Sequence, residues 1–489
     1  MSVIQKKFVK NLAFLLFLNL LIKPFYVLII DLNVQNAVHA KNFGLYFALF
    51  NFSFVLNIIL DFGITNFNNK NIAQNNHLLT KHFSSLVILK LLLALVYILL
   101  AFVVGLVIQY DFRLMKLMLL LGFNQFLISF IAYLRSNIAG LLLFWVDSIV
   151  SVLDRSILII ICCFLLWGNV LGRELDIMDY VYAQTTAYSL TAIIAFFIVL
   201  SKTQFAKFKI TRAFAMMIFK KSFPFAVLGM LMACYNRLDT VMVERMLPDG
   251  AEQAGIYAQG FRLLDAANMI SVLFAGLLLP IFSRMIKFKE SVEALVKTAF
   301  ILLITPGIVV AVGCWFYSTE LMSLLYKENI EQASVIFPIL MSCFVATSTT
   351  YIFGTLLTAN GNLRELNLMA ASGILINVTM NLFLIPRLQA EGSAISSLTT
   401  QCLTALIQVL IAQNVFRFKI NYRLLLTMIV FIMGVILINY FSLKIHLSLL
   451  SEKNRWMPNF VIMVAACGIW AFVSRMLNIK SMVRILKYR

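Results

Sequence analysis

Residues 84–108 read SSLVILKLLLALVYILLAFVVGLVI, an apolar run with one charge in it, Lys90. At about 1.5 Å per residue, a helix of this length crosses a hydrocarbon core of about 30 Å with its backbone hydrogen bonds all made internally. The run does not alternate polar and apolar residues with a period of two, which excludes a strand of an outer-membrane barrel. Runs of the same kind recur from Leu12 to Met476, and hydrophobic residues make up 62% of the chain against 12% charged. Soluble domains are nearer a quarter charged, so the composition specifies an all-α polytopic membrane protein.

Fourteen spans are predicted, at about 11–30, 43–62, 84–108, 116–134, 150–168, 179–200, 222–246, 256–283, 297–317, 333–357, 366–386, 392–413, 424–442 and 457–475. The stretch 136–149 is apolar but short and carries Asp147, so it is expected to be an interfacial helix leading into span five. Charge placement tests the count. With an even number of spans and the N-terminus inside, 25 of the Lys and Arg residues fall on the inner side, 10 outside and 5 within spans, charges at span ends being counted with the adjoining loop. Inner loops enriched in Lys and Arg put both termini in the cytoplasm. The net charge of +19 is thus mostly a topology signal and an attraction for anionic membrane lipids. It does not imply nucleic-acid binding, because no soluble basic domain is present to do it.

The first apolar stretch is full length and lacks a small-residue cleavage site, so it is expected to stay as span one. All seven cysteines fall inside predicted spans, and Cys162-Cys163 are neighbours rather than a metal-binding pair. The four histidines lie in connectors without ligand spacing, so neither a metal nor a cofactor is expected. No phosphate-binding loop, dinucleotide fingerprint or nucleophile elbow occurs. A transporter is expected rather than an enzyme.

The longest inner connector, residues 201–221, carries Lys202, Lys207, Lys209, Arg212, Lys220 and Lys221. It divides an N-terminal six-helix bundle, 1–200, from a second, 222–415, with 416–489 adding two spans and a basic cytoplasmic tail. The two halves echo each other. Phe43-Gly44-Leu45-Tyr46-Phe47-Ala48 opens span two, and Ala254-Gly255-Ile256-Tyr257-Ala258 opens span eight. Corresponding glycines and aromatics suggest two repeats, an architecture common in secondary transporters.

Several segments resemble a known family. They are Asp61-Phe62-Gly63-Ile64-Thr65-Asn66, Tyr235-Asn236-Arg237-Leu238-Asp239, Arg262-Leu263-Leu264-Asp265 after Tyr257, and Leu279-Pro280-Ile281-Phe282-Ser283-Arg284. Ala359-Asn360-Gly361-Asn362, Asn377 with Asn381, and Ile385-Pro386 continue the series. The chain resembles bacterial polysaccharide-lipid flippases of the multidrug/oligosaccharidyl-lipid/polysaccharide exporter superfamily. The resemblance implies a lipid-linked oligosaccharide on undecaprenyl diphosphate as cargo. It implies transfer across the inner membrane for O-antigen, capsule or exopolysaccharide assembly, with polysaccharide polymerase machinery downstream. A drug or metabolite cation antiporter of the superfamily is the alternative, but it would present unpaired mid-span acids, whereas here Arg accompanies each one. A lipid II flippase is a close relative that fourteen spans also suit. A membrane-embedded glycan polymerase would need a large outer loop, and none here exceeds about twenty residues.

Charges at membrane depth are costly and rarely face lipid, so each is a candidate functional group. Lys23, Arg237, Asp239, Arg262 and Asp265 are expected roughly 9–13 Å below the outer surface. Lys23 and Arg237 are the foremost candidates for phosphate or glycan contact, with Arg262 as a third. The adjacent Pro24 removes one backbone bond and favours a bend beside Lys23. On antiparallel spans seven and eight, Arg237 is expected to face Asp265, and Asp239 to face Arg262, either as a gate or as structural ion pairs. Asp61, Lys90, Asp154 and Arg155 lie near inner span ends and are candidates for an inner gate or for solvated helix termini. Asp147 and Glu244 receive no role. Tyr235, Tyr257 and Trp315 are candidate glycan platforms.

Overall fold

The structure is a computed structural model describing residues 14, 17–65, 68, 72, 78–141, 143–168, 170, 172–203, 212–419, 421–444 and 456–477. Lys6, Lys7, Lys10, residues 204–211 of the basic connector and the tail beyond residue 477 lie outside the described residues. Every long element is a helix, and no strand occurs among the described residues.

Twelve helical stretches are long and apolar enough to cross a membrane. Two of them are broken internally. Phe17–Val55 is interrupted at His39 (φ 67°, ψ 156°), and Leu363–Phe416 at Gln389 (φ 52°, ψ −135°). Both residues take the left-handed side of φ, which costs a side chain strain and ends helical hydrogen bonding. The two breaks turn twelve stretches into fourteen segments, in the order and near the positions that hydropathy specifies.

The segments are α1 (17–38), α2 (40–55), a short α3 (Ile58–Asp61), α4 (Leu78–Val107), α5 (Phe112–Gly140), α6 (Phe144–Trp167) and α7 (Ile177–Leu200). They continue with α8 (Arg212–Met246), α9 (Gly250–Lys287), α10 (Glu293–Phe316), a short α11 (Ser318–Leu325) and α12 (Ile330–Asn360). The broken stretch gives α13 (363–388) and α14 (390–416), followed by α15 (Tyr422–Leu443) and α16 (Trp456–Val473). The expected interfacial helix at 136–149 does not exist as a separate element. Residues 136–140 end α5, a turn at Leu141 and Leu143 follows, and α6 starts at Phe144. The apolar stretch is shared between two spans and adds no further one to the count.

Local sequence sets the helix ends. Asp111 caps α5 by accepting from the Leu114 backbone N–H (2.8 Å), and Asn421 does the same for α15 through Leu424 (3.0 Å). Asp176 and Asp179 form a capping box at the start of α7. Each satisfies a donor that the first helical turn leaves without a partner.

The chain divides into two compact units, Met1–Gly255 and Ile256–Arg489, with the division inside α9. In the first unit α5 is central, with 67% of its membrane window buried. Phe83, Tyr133, Leu134, Val150 and Val199 pack at one end, and Leu60, Tyr97, Ile131 and Tyr188 form a second cluster. In the second unit α12 is central at 72% buried, while α15 is at the periphery at 17%. Lipid is as apolar as leucine, so these bundles are held by close packing and by polar side chains bonded between helices.

Helices α15 and α16 attach to α10 through Ile304, Ile308, Phe431, Val435, Met463 and Cys467. Gly434 makes their close approach possible. A Cβ there would meet the Trp470 ring, 2.7 Å from Cζ2, and Trp470 is fixed by donating from Nε1 to the Phe431 carbonyl (3.2 Å). Gly434→Ala is therefore expected to destabilise the chain by about 1–3 kcal/mol, the cost of overpacking against a rigid ring. A thermal melt in detergent checks it, with Gly468→Ala, where nothing lies within 4 Å, as the neutral comparison.

Candidate functional site

A group of charged and polar side chains in the first unit lies where α1, α5, α6 and α7 meet. It is built on an irregularity in α1. Pro24 follows Lys23, and Tyr26–Asp31 winds as a π-helix before regular α-helix resumes. Such bulges are uncommon and often mark functional positions. The bulge buries Tyr26 and Asp31, at 3% and 1% exposure.

Tyr180 of α7 donates to Asp31 Oδ1 (2.7 Å), and Tyr26, whose hydroxyl lies 3.4 Å from the same oxygen, donates closely to the Tyr180 hydroxyl. The Arg155 guanidinium lies 4.7 Å over the Tyr26 ring and 5.5 Å from the Tyr188 ring, and it donates to the Tyr188 hydroxyl (3.0 Å). Nearby, Gln184 donates to Tyr46 (2.8 Å). Tyrosines thus stand between a buried carboxylate and a buried guanidinium, so neither charge is left bare in a low-dielectric interior.

Charges continue on the Lys23 side of this network. Asp154 lies 3.7 Å from Arg155, and Arg135 grips Asp147 with Nε and Nη2 at 2.8 and 3.3 Å. Lys23 is close enough to feel Asp154, Arg135 and Arg155 electrostatically, yet no described residue makes a hydrogen bond or ion pair with it. Arg135 takes Asp147, Arg155 lies against Asp154, and the tyrosines hold Asp31, so each carboxylate of the site has a partner other than Lys23. Asn19, one turn earlier on α1, donates to Ser151 (3.0 Å) and fixes α1 against α6.

The other predicted residues form three further groups. Lys90 of α4 is buried at 1% exposure and donates to Asp61, to the Leu60 carbonyl (3.0 Å) and to Ser129 (2.9 Å). Its three N–H bonds are thus all used, and they pin the turn after α3, where Phe62 and Gly63 take positive φ (42° and 74°). Arg237 of α8 lies 5.2 Å from the Phe54 ring and donates to Asn51 (3.4 Å), and Asn51 donates to Thr240 (3.2 Å). Asp239 beside them is fully buried. In the second unit, Arg262 and Asp265 lie one turn apart on α9 with 3.8 Å between Nη1 and Oδ2.

Two of the proposed glycan platforms do not serve as such. Tyr235 and Tyr257 are buried at 1% and 0% exposure, and Tyr257 is bonded to Ser397 (3.2 Å) and stacked on Phe261. Packing consumes the faces a sugar would need. Trp315 stays exposed and donates to Ser342 (3.0 Å). Asp147 and Glu244, given no role from sequence, both pair with arginines, Glu244 with Arg245 at 2.9 Å. Asp31, Tyr26, Tyr180, Tyr188 and Arg135 were missed. A signal for Asp31 was present, since a lone carboxylate ends the first apolar run. No group of three metal-ligating side chains occurs among the described residues.

The fold has known counterparts. The lipid II flippase MurJ in an inward closed conformation is similar over 95% of this chain and 98% of its own, with a TM-score of 0.71 and 13% identity. An inward-facing multidrug resistance transporter of the MATE family, in the MOP superfamily, is similar over 81% and 94% (TM-score 0.64, 12% identity). A MOP superfamily transporter from Pyrococcus furiosus is similar over 85% and 98% (TM-score 0.62, 13% identity). At these identities the likeness is one of fold alone. No curated protein matches the chain at a significant level. The family described as polysaccharide biosynthesis protein matches residues 8–286. That match spans more than half of the chain and contains the whole α1–α5–α6–α7 site, and on it the chain belongs to the polysaccharide biosynthesis protein family.

Proposed function

We propose that the chain is a flippase that turns an undecaprenyl-diphosphate-linked oligosaccharide from the cytoplasmic to the outer leaflet of the bacterial inner membrane. Both termini stay in the cytoplasm, and the product feeds O-antigen, capsule or exopolysaccharide assembly. A diphosphate-linked glycan cannot enter hydrocarbon unaided, so its carrier must offer a cation whose charge is not already spent on a protein carboxylate. Lys23 carries the reading: it is a span-borne ammonium beside Asp154, a carboxylate that already lies against Arg155. Arg237, Arg262, Asp239 and Asp265 remain candidates for the cargo path and for a gate between its inward- and outward-open states. In the same reading, 1–200 and 222–415 are the two six-helix halves that rock about the cargo.

One observation favours a second reading. The likeness to the lipid II flippase extends over 95% of the chain, so it takes in the helices beyond the twelve of the two halves. Deleting the gene and measuring undecaprenyl-linked lipids by mass spectrometry separates the two. Build-up of an oligosaccharide longer than the lipid II disaccharide supports the main reading. Build-up of lipid II alone supports the second, and no build-up of either overturns both.

A further inference from the structure

The two glycines singled out by the internal sequence echo meet in space. A Cβ on Gly44 would overlap the Ala251 carbonyl oxygen and stand 2.5 Å from the backbone N of Gly255 and 3.0 Å from its Cα. A Cβ on Gly255 would overlap the Ala40 carbonyl oxygen and stand 2.6 Å from its carbon and 3.1 Å from the Ala40 Cα. The contact is reciprocal: each glycine faces the carbonyl four residues before the other. This is the pattern of a local two-fold axis between α2 and the first turns of α9. Gln35 adds a hydrogen bond from Nε2 to the Gly255 carbonyl (3.0 Å). Backbone lies against backbone here with no side chain between, an approach that only glycine permits.

We infer that Gly44 and Gly255 form a side-chain-free seal at the outer ends of α2 and α9, closed in this conformation and opened once in each transport cycle. This deepens the flippase reading and rests on its alternation between two states. The seal is built for repeated closing. It uses two flat backbone surfaces and one amide hydrogen bond, so parting it exposes few groups and strands no charge. It also accounts for the glycine in the opening motif of both spans. A methyl group at either position forces the helices apart by about 1.5 Å, since ordinary contact needs at least 3.4 Å. That displacement removes the closed state and leaves the chain held open on the outer side.

The test uses the full chain with its seven cysteines replaced and new cysteines at the exposed positions Lys41 and Glu252, each one residue beyond a facing carbonyl. Joining Lys41→Cys to Glu252→Cys with a short cleavable cross-linker is expected to stop export by at least tenfold, and cleaving the linker to restore it. Nitroxides at the same two sites, in nanodiscs, are expected to move to a longer-distance population in Gly44→Ala and Gly255→Ala. Gly229→Ala and Gly276→Ala, where nothing lies within 4 Å, should leave the distribution unchanged. Export at the normal rate with the linker in place would overturn the inference, and this arm still decides if a glycine variant does not fold. So would a wild-type distance distribution in both glycine variants. The distance measurement needs no cargo. A clear shift in it, with oligosaccharide-lipid export undisturbed, sustains the seal and counts against the proposed cargo.

Discussion

Asp61→Ala is expected to destabilise the chain by about 3–5 kcal/mol, enough to remove most of it from the membrane fraction. The reason is the state in which it leaves Lys90. The Lys90 side chain is 1% exposed, against 26% for Asp61, and its remaining partners are one carbonyl and one hydroxyl. An ammonium buried without a counter-charge costs several kcal/mol even when hydrogen-bonded. Lys90→Met should be milder, because the half-exposed Asp61 can take up water and still accept from the Thr65 backbone N–H (3.4 Å) and hydroxyl. The double change Asp61→Ala/Lys90→Met is expected to melt above Asp61→Ala alone, since it removes both charges from the interior. Thermal unfolding of the four proteins in one detergent orders them. A melt of Asp61→Ala at the wild-type temperature would show that the pair does not hold the turn after α3.

That asymmetry was not legible in the sequence. Both residues stood out as charges near span ends, but solvated helix ends and a buried clamp read alike when the partner lies 29 positions away across a turn. The clamp exists because Phe62 and Gly63 reverse the chain so tightly that the Leu60 carbonyl and Asp61 face α4. Span positions were legible for the opposite reason. Bilayer thickness sets the length of each apolar run, and the requirement for internal backbone hydrogen bonding makes every run a helix. Even the breaks at His39 and Gln389 left a trace as the polar connectors after predicted spans one and eleven. The site was half legible. Lys23, Arg155 and Asp154 were visible as charges in apolar sequence. Tyr26, Tyr180 and Tyr188 were not, because a tyrosine in a span reads as packing until its hydroxyl is seen on a carboxylate or its ring under a guanidinium. The π-helix has no sequence signal beyond Pro24, and without it the burial of Asp31 could not be foreseen.

Lys23→Ala is expected to behave in the reverse way to Asp61→Ala, leaving stability intact and removing transport. Lys23 holds no described residue by a hydrogen bond or ion pair, and Asp154 keeps Arg155 at 3.7 Å when the lysine is gone. No carboxylate is orphaned, so a melt within about 0.5 kcal/mol of wild type is expected, as for a substitution that breaks no packing or network. The proposed cargo does lose something: a charge-assisted hydrogen bond to its diphosphate, worth about 1.5–3 kcal/mol. With about 1.4 kcal/mol per factor of ten, export should fall at least tenfold. Lys23→Arg preserves the charge and should retain most of it, whereas Lys23→Glu places a carboxylate beside Asp154 and should retain none. Arg135→Ala provides the contrast, because it orphans the buried Asp147 and should lower the melting temperature as well as export. Variants expressed in the deletion strain, scored by surface glycan and by accumulated lipid-linked precursor, give the transport arm. Normal export by Lys23→Ala at normal protein levels would remove the lysine from the cargo path and leave Arg237 and Arg262 as the cations to test.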